Sequence, residues 1–187
     1  LPQGTFDAIL LGVKPQLLGE VSPQLAQMVG KDTVLLSILA GAELDSLDAR
    51  FPAAKGMVRI MPNLAAAIGK SPIALAQRGL NTADQAEVIA LMTPLGTPEW
   101  IDESLFDAVT ALAGSGPAFV YRFIDALAAG AAALGLPAGQ AERLALAMVE
   151  GAGALASDSP HSPGELARRV ASPGGTTIAG LQALETG

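Results

Sequence analysis

Residues 6–15 read Phe-Asp-Ala-Ile-Leu-Leu-Gly-Val-Lys-Pro. From Phe6 to Val13 this is an apolar run of strand length, suited to a strand buried on both faces of a parallel sheet. Pro15 then opens a helical stretch through Leu17, Leu18, Val21, Leu25 and Met28, closed by Gly30. The same alternation repeats downstream. Thr33–Leu39 (TVLLSIL) is a second buried strand, followed by Gly41 and a short helix over Glu43–Arg50, and Met57–Met61 (MVRIM) is a third strand ended by Pro62-Asn63. Weaker strand signals at Pro72–Gln77 and Thr97–Ile101 flank a helix over Thr82–Met92. Strands and helices alternating at this spacing imply right-handed crossovers and a mostly parallel sheet with helices on its faces.

After about Ser104 the strand signals stop. Phe106–Leu112, Pro117–Leu134, Ala138–Ala156, Glu165–Val170 and Thr176–Leu184 read as helices, with Gly or Pro at nearly every junction. The expected organisation is α/β plus all-α: a sheet domain over residues 1–103 and a helical domain over 104–187. A parallel sheet needs neighbours on both sides of its strands, so the strand at Phe6 is expected to pair with strands encoded before Leu1. With a helical pattern still apolar at Glu185-Thr186-Gly187, the chain reads as a piece of a longer protein.

The stretch from Pro117 to Leu136 has the length of a membrane span. It carries Arg122 and Asp125, both costly in lipid, and the next helix carries Glu142, Arg143 and Glu150. The expectation is a soluble helix buried on all sides, inside a helical domain or at a dimer interface.

Composition removes whole classes of chemistry. There is no cysteine among 187 residues, hence no disulfide, thiolate nucleophile or thiolate metal site. A single histidine excludes multi-histidine zinc motifs, so no metal is expected. The net charge of −7 without a basic cluster argues against a nucleic-acid surface. High apolar content at low charge argues against disorder. Lysine is absent after Lys70, so no lysine acid or Schiff base can arise in the helical segment.

Few motifs carry chemistry. Gly151-Ala152-Gly153-Ala154-Leu155-Ala156 matches G-x-G-x-x-A, but it lies within a helical run rather than at a strand-to-helix turn and is rejected as a dinucleotide site. Ser172-Pro173-Gly174-Gly175-Thr176-Thr177 places two glycines before a helix start. Such a turn can offer backbone N–H groups to a carboxylate or phosphate, or it is an ordinary cap made by Ser172 or Thr176. Three strand ends, at Val13-Lys14-Pro15-Gln16, Ser37–Gly41 and Met61-Pro62-Asn63, fall where parallel sheets bind ligands, although turns use the same residue types. His161 lies in a polar loop and is expected to be solvent-exposed. Ser115 in Gly-Ser-Gly-Pro is best explained by a loop-to-helix turn or a small-residue contact with a bound ring.

In order, V-K-P-Q, S-x-x-A-G, R-x-M-P-N, G-S-G-P-A-F and S-P-G-G-T-T make the chain similar to pyrroline-5-carboxylate reductases over essentially its whole length. The resemblance implies a truncated Rossmann-type domain that binds NADPH or NADH. It also implies a helical dimerisation domain of the 6-phosphogluconate dehydrogenase C-terminal type, an interlocked dimer that assembles further, up to a decamer, and a cytoplasmic setting without nucleic-acid or membrane partners. The implied reaction is hydride transfer to C5 of 1-pyrroline-5-carboxylate, giving L-proline, the last step of proline biosynthesis.

By the same resemblance, Val13, Lys14 and Pro15 lie along the cofactor, Ala40 and Gly41 beside its nicotinamide end, and Asn63 nearby. Gly174, Gly175 and Thr176 offer N–H groups to the substrate carboxylate with help from Ser172, while Thr177 hydrogen-bonds the ring nitrogen and aids proton delivery. A lysine-free helical segment counts against the related β-hydroxyacid dehydrogenases. The sequence departs from the family at Leu64-Ala65, where Thr-Pro usually follows M-P-N, and the G-x-G-x-x-G turn expected before Leu1 is absent. These residues alone are therefore expected to bind NAD(P)H weakly. A related imine or keto-acid reductase, and a non-catalytic dimerisation and ligand-sensing module of the same fold, remain open alternatives.

Overall fold

In the computed structural model, which describes residues 4, 6–172 and 174–186, five strands form one sheet in sequence order. They are β1 (Ala8–Leu11), β2 (Val34–Ser37), β3 (Gly56–Met61), β4 (Ser71–Arg78) and β5 (Gly96–Trp100). The first three are parallel, with Leu11, Ser37 and Arg59 in register. β4 runs antiparallel to β3, and β5 is parallel to β4. The reversal has a simple cause. Residues 62–70 join β3 to β4 and hold only a 3₁₀ turn, whereas a parallel crossover takes a dozen or more residues.

Alternating residues of β2, β3 and β4 feed two cores. Leu35, Met57, Ala74 and Ala76 face Leu18 of helix α1 (Leu18–Leu25), Leu44 and Leu47 of α2 (Leu44–Arg50), and Phe51 and Phe106. Leu36, Val58, Ile60, Ile73 and Leu75 face Val88 and Met92 of α3 (Thr82–Met92). Helix α3 starts where the sequence places it, because Asn81 and Asp84 form a reciprocal capping box. Gly96 is required by space: a Cβ there would stand 1.9 Å from the Ser71 carbonyl oxygen. At the sheet edge, Ala8 and Leu10 of β1 are exposed, so this strand is covered on one face only.

From α4 (Phe106–Val109) the chain passes through a π-helical turn at Thr110–Ser115 into α5 (Gly116–Ala133). Gly114–Pro117 is thus helical, not the loop-to-helix turn expected for Ser115. Helical character begins near Glu103, yet the chain divides by contacts between Ala118 and Phe119. Phe106 explains the offset, since it is part of the sheet's core.

The second unit contains the rest of α5 and α6 (Ala138–Asp158), α7 (Pro163–Val170) and α8 (Thr176–Thr186). Among its described residues, those buried are Ala141 and Ala145 of α6. The expectation that Pro117–Leu136 is buried on all sides does not hold within one chain: Phe119, Tyr121 and Leu134 are exposed. Apolar sequence shows that a face wants cover, not what covers it. Among the described residues, no helix is long and apolar enough to cross a membrane. Gly151–Ala156 lies inside α6, as its rejection as a nucleotide turn requires. His161 is half-buried rather than fully exposed, with Nδ1 3.3 Å from a carboxylate oxygen of Glu165.

Candidate functional site

Because β1, β2 and β3 run parallel in register, the segments leaving their carboxyl ends share one sheet edge. That edge gathers Val13, Lys14 and Pro15 after β1, Ala40 and Gly41 after β2, and Asn63 after β3. At β1, the Lys14 carbonyl accepts the Leu17 N–H at 2.9 Å, so Pro15 enters a 3₁₀ turn directly. Gly41 has φ +77°, and a Cβ on it would meet no atom within 4 Å. The backbone at Ala40-Gly41 therefore faces open space, where a flat ring could approach it.

Asn63 is held from several sides. Its side-chain oxygen accepts the Ala65 N–H at 2.9 Å, its amide nitrogen donates to the Ala113 carbonyl at 2.9 Å, and its backbone N–H donates to Ser71 Oγ at 2.9 Å. The bond to Ala113 follows from sequence chemistry. An α-helical partner for that carbonyl would be the N–H four residues on, but residue 117 is proline and has none. Asn63 supplies the missing donor and ties the end of β3 to the π-helical turn. Each amide atom keeps one further bonding position for a ligand.

Beside Gly41 lies a cavity of about 440 Å³ lined by Gly41, Arg59, Asp102, Glu103 and Phe106, among others. Arg59 is 6% exposed; its Nη1 donates to Glu103 Oε1 at 2.8 Å, and its guanidinium carbon sits 4.2 Å from the centre of the Phe106 ring. The same Glu103 oxygen accepts the Leu44 N–H at 2.7 Å. The Ser104 hydroxyl, and next its backbone N–H, donate to Asp102 and hold that carboxyl below its usual range. R-x-M-P-N contains Arg59, but the sequence attaches no role to it. Its partner is 44 residues away, and pairing at that separation leaves no local signal.

In the second unit, Ser172, Gly174, Gly175, Thr176 and Thr177 form the turn that opens α8, while Pro173 lies outside the described residues. Leu1 and Gly187, on which the reading of the chain's ends drew, also lie outside them. Gly174 has φ +73°, and Gly175 N–H donates to the Ser172 carbonyl at 3.0 Å. With Gly175 so engaged, the N–H groups of Thr176, Thr177 and Ile178 are those the helix start leaves without an intrahelical acceptor. The helix dipole makes that end favourable for an anion.

Comparison with known proteins places the chain in a family. A family model described as pyrroline-5-carboxylate reductase dimerisation matches residues 103–187. Pyrroline-5-carboxylate reductase of Aquifex aeolicus is 42% identical over 180 residues, covering 96% of this chain and 67% of that protein. The chain belongs to the pyrroline-5-carboxylate reductase family. A family structure from Coxiella burnetii superposes with a TM-score of 0.89 at 28% identity, covering 96% of this chain and 68% of that one. Another, from Plasmodium falciparum with NADP bound, superposes at 0.84 with the same identity and coverage. The chain spans about two thirds of the length of the curated relatives it matches.

Against the family pattern, Ala65 gains a consequence. A proline at 65 would have no N–H to give Asn63, so the bond from Ala65 to the Asn63 side-chain oxygen exists because of this departure.

Proposed function

We propose that the protein reduces 1-pyrroline-5-carboxylate to L-proline with NADPH or NADH, the last step of proline biosynthesis. The observation that carries this reading is the Ser172–Thr177 turn at the start of α8, an anion-suited backbone in a chain of this family. For the cofactor, the fit rests on the strand-end edge: the open space at Gly41 and the spare bonding capacity of Asn63 suit a flat amide-bearing ring. Val13, Lys14 and Pro15 would extend the contact, with Ala40 and Gly41 beside the ring.

The bound cofactor supplies a hydride, and the protein's contribution is to bind and orient. Thr176 N–H, with Ser172 and the Gly174 backbone, would hold the substrate carboxylate, and Gly175 N–H, bonded to the Ser172 carbonyl, would have to turn from it to join them. Thr177 Oγ1 would hydrogen-bond the ring nitrogen, accepting from the N–H of a protonated imine or donating to the nitrogen of a neutral one. As C5 gains hydride, the C=N electron pair moves to nitrogen, which is protonated already or takes a proton through Thr177 from water. No lysine follows Lys70, so neither binding nor proton delivery in this unit uses one. The matched dimerisation segment supports self-association; an interlocked dimer, its further assembly up to a decamer, and a cytoplasmic setting belong to the same proposal.

The test follows NADPH oxidation with 1-pyrroline-5-carboxylate in the full-length protein. Turnover is expected, and Thr177→Ala is expected to lower kcat by about ten- to a hundredfold, the size of one hydrogen bond to a charged group. Turnover only with other imines would point to a different reductase of this build. None at all would point to a non-catalytic ligand-sensing module.

A further inference from the structure

We propose that Arg59 and Glu103 are positioning residues for the cofactor loop, fixing Ala40-Gly41 by capping the helix that follows it. The proposal rests on reading Gly41 as a cofactor contact. Arg59 lies on central strand β3, in register with Ser37 on one side and Ala76 on the other, and is almost wholly buried. Packing does not call for a guanidinium there, and burying one is costly unless it is paired. Its Nε has no hydrogen-bond partner, so the site accepts incomplete satisfaction in order to keep the charge.

What the charge does is hold Glu103. Nη1 of Arg59 and the backbone N–H of Leu44 converge on one oxygen, Glu103 Oε1, at 2.8 and 2.7 Å. Leu44 is the first residue of α2, and the residue before it, Glu43, makes no side-chain cap. Glu103, 59 residues away, thus accepts one of the N–H groups that the start of the helix leaves without an intrahelical partner. The loop after β2 is anchored by the sheet at Ser37, by buried Leu39 and Ala42, which close a turn through Ala42 N–H to the Leu39 carbonyl at 3.3 Å, and by Glu103 at Leu44, three residues past Gly41. Gly41 is exposed at the tip of that turn, and a Cβ on it would meet no atom within 4 Å, so the bond at Leu44 sets how firmly the outgoing end of the turn is held.

Glu103→Ala in the full-length protein tests this by calorimetric titration with NADPH and amide exchange at Leu44. The expected result is a Kd raised about tenfold, the equivalent of about one hydrogen bond, with faster exchange at Leu44. Glu103→Gln, which keeps an acceptor, should recover part of both effects. A Kd within twofold of wild type overturns the proposal, as does a raised Kd with Leu44 protection unchanged. If Glu103→Ala is not recovered folded, Arg59→Lys serves instead: a smaller rise in Kd with reduced Leu44 protection supports the proposal, and an unchanged Kd overturns it. Gly41→Val separates this proposal from the reading beneath it. If that variant leaves the Kd unchanged, Gly41 is not a cofactor contact; if it weakens binding while Glu103→Ala does not, only the positioning role is lost.

Discussion

Leu35 and Met57 on one face of the sheet are closed over by Leu47 and Phe51, all of them essentially inaccessible to solvent. Phe119, Tyr121 and Phe123 of α5 are each more than two fifths exposed, and so are Leu144, Leu146 and Met148 of α6. The first unit buries its apolar residues within itself, on both faces of its central strands. The second has apolar residues in similar density and, among its described residues, buries two alanines. Burial contributes about 25 cal/mol for each Å² of apolar surface removed from water, so the first unit draws its stability from within. The second must draw much of its own from a surface outside the described residues. A family model described by dimerisation matches that segment, which fits the difference.

Paired substitutions give the largest test. Phe51→Ala should destabilise the sheet unit by about 3–5 kcal/mol through lost transfer energy and a cavity. Its denaturation midpoint should not depend on protein concentration. Leu146→Asp, in a groove that Asp125 and Glu142 also line, should be nearly silent in a separated chain. Where a second copy covers the groove, the buried carboxylate should weaken association by about a hundredfold or more. Denaturant titration at several concentrations and analytical ultracentrifugation read both. Association unaffected by Leu146→Asp would break the contrast at that groove.

A smaller effect sits at Asn63 and Pro117. Asn63→Ala should cost about 1–3 kcal/mol, because it leaves the Ala113 carbonyl without its side-chain donor. Pro117→Ala restores an N–H that can serve the same carbonyl, so Asn63→Ala should cost less in that background. A double-mutant cycle by denaturant unfolding measures the coupling. Strict additivity would mean that the two residues do not share this carbonyl.

How much of this was legible beforehand varies by residue. Helix α3 was legible over Thr82–Met92, and the structure adds the reason for its start, the reciprocal Asn81–Asp84 capping box. The three strand ends were readable because apolar runs stop at Lys14-Pro15, Gly41 and Pro62-Asn63. The π-helical turn was not: Gly-Ser-Gly-Pro has the composition of a loop, and what keeps it helical includes an amide arriving from Asn63, fifty residues earlier. Nor was the Arg59–Glu103–Leu44 convergence, in which no two members are near in sequence. The open faces of α5 defeat sequence reading for another reason, because hydropathy records a demand for cover and not its source. The Gly-Gly turn was legible as an anion candidate, while the engagement of Gly175 N–H by Ser172 depends on the backbone angles of the turn and was not.

The finest contrast uses one chemistry in both regions. Asn81 caps α3 by accepting the N–H groups of Ala83 and Asp84 at 2.8 and 3.0 Å, and Val88 and Met92 then anchor the helix in the sheet's second core. Ser162 caps α7 by accepting the Glu165 N–H at 3.3 Å, but α7 buries no residue and is otherwise held by Arg169 pairing with Glu165. Removing either cap should cost about 0.5–2 kcal/mol locally. In α3 that cost passes to the whole unit, since the helix cannot fray without uncovering Val88, so Asn81→Ala should lower the global Tm. In α7 nothing buried is coupled to the first turn, so Ser162→Ala should speed amide exchange within residues 163–170 and leave the global Tm nearly unchanged. If Ser162→Ala lowers the Tm as much as Asn81→Ala does, α7 is locked into a cooperative core after all. The surface that locks it would then have to come from outside the described residues, because α7 has no buried residue among them.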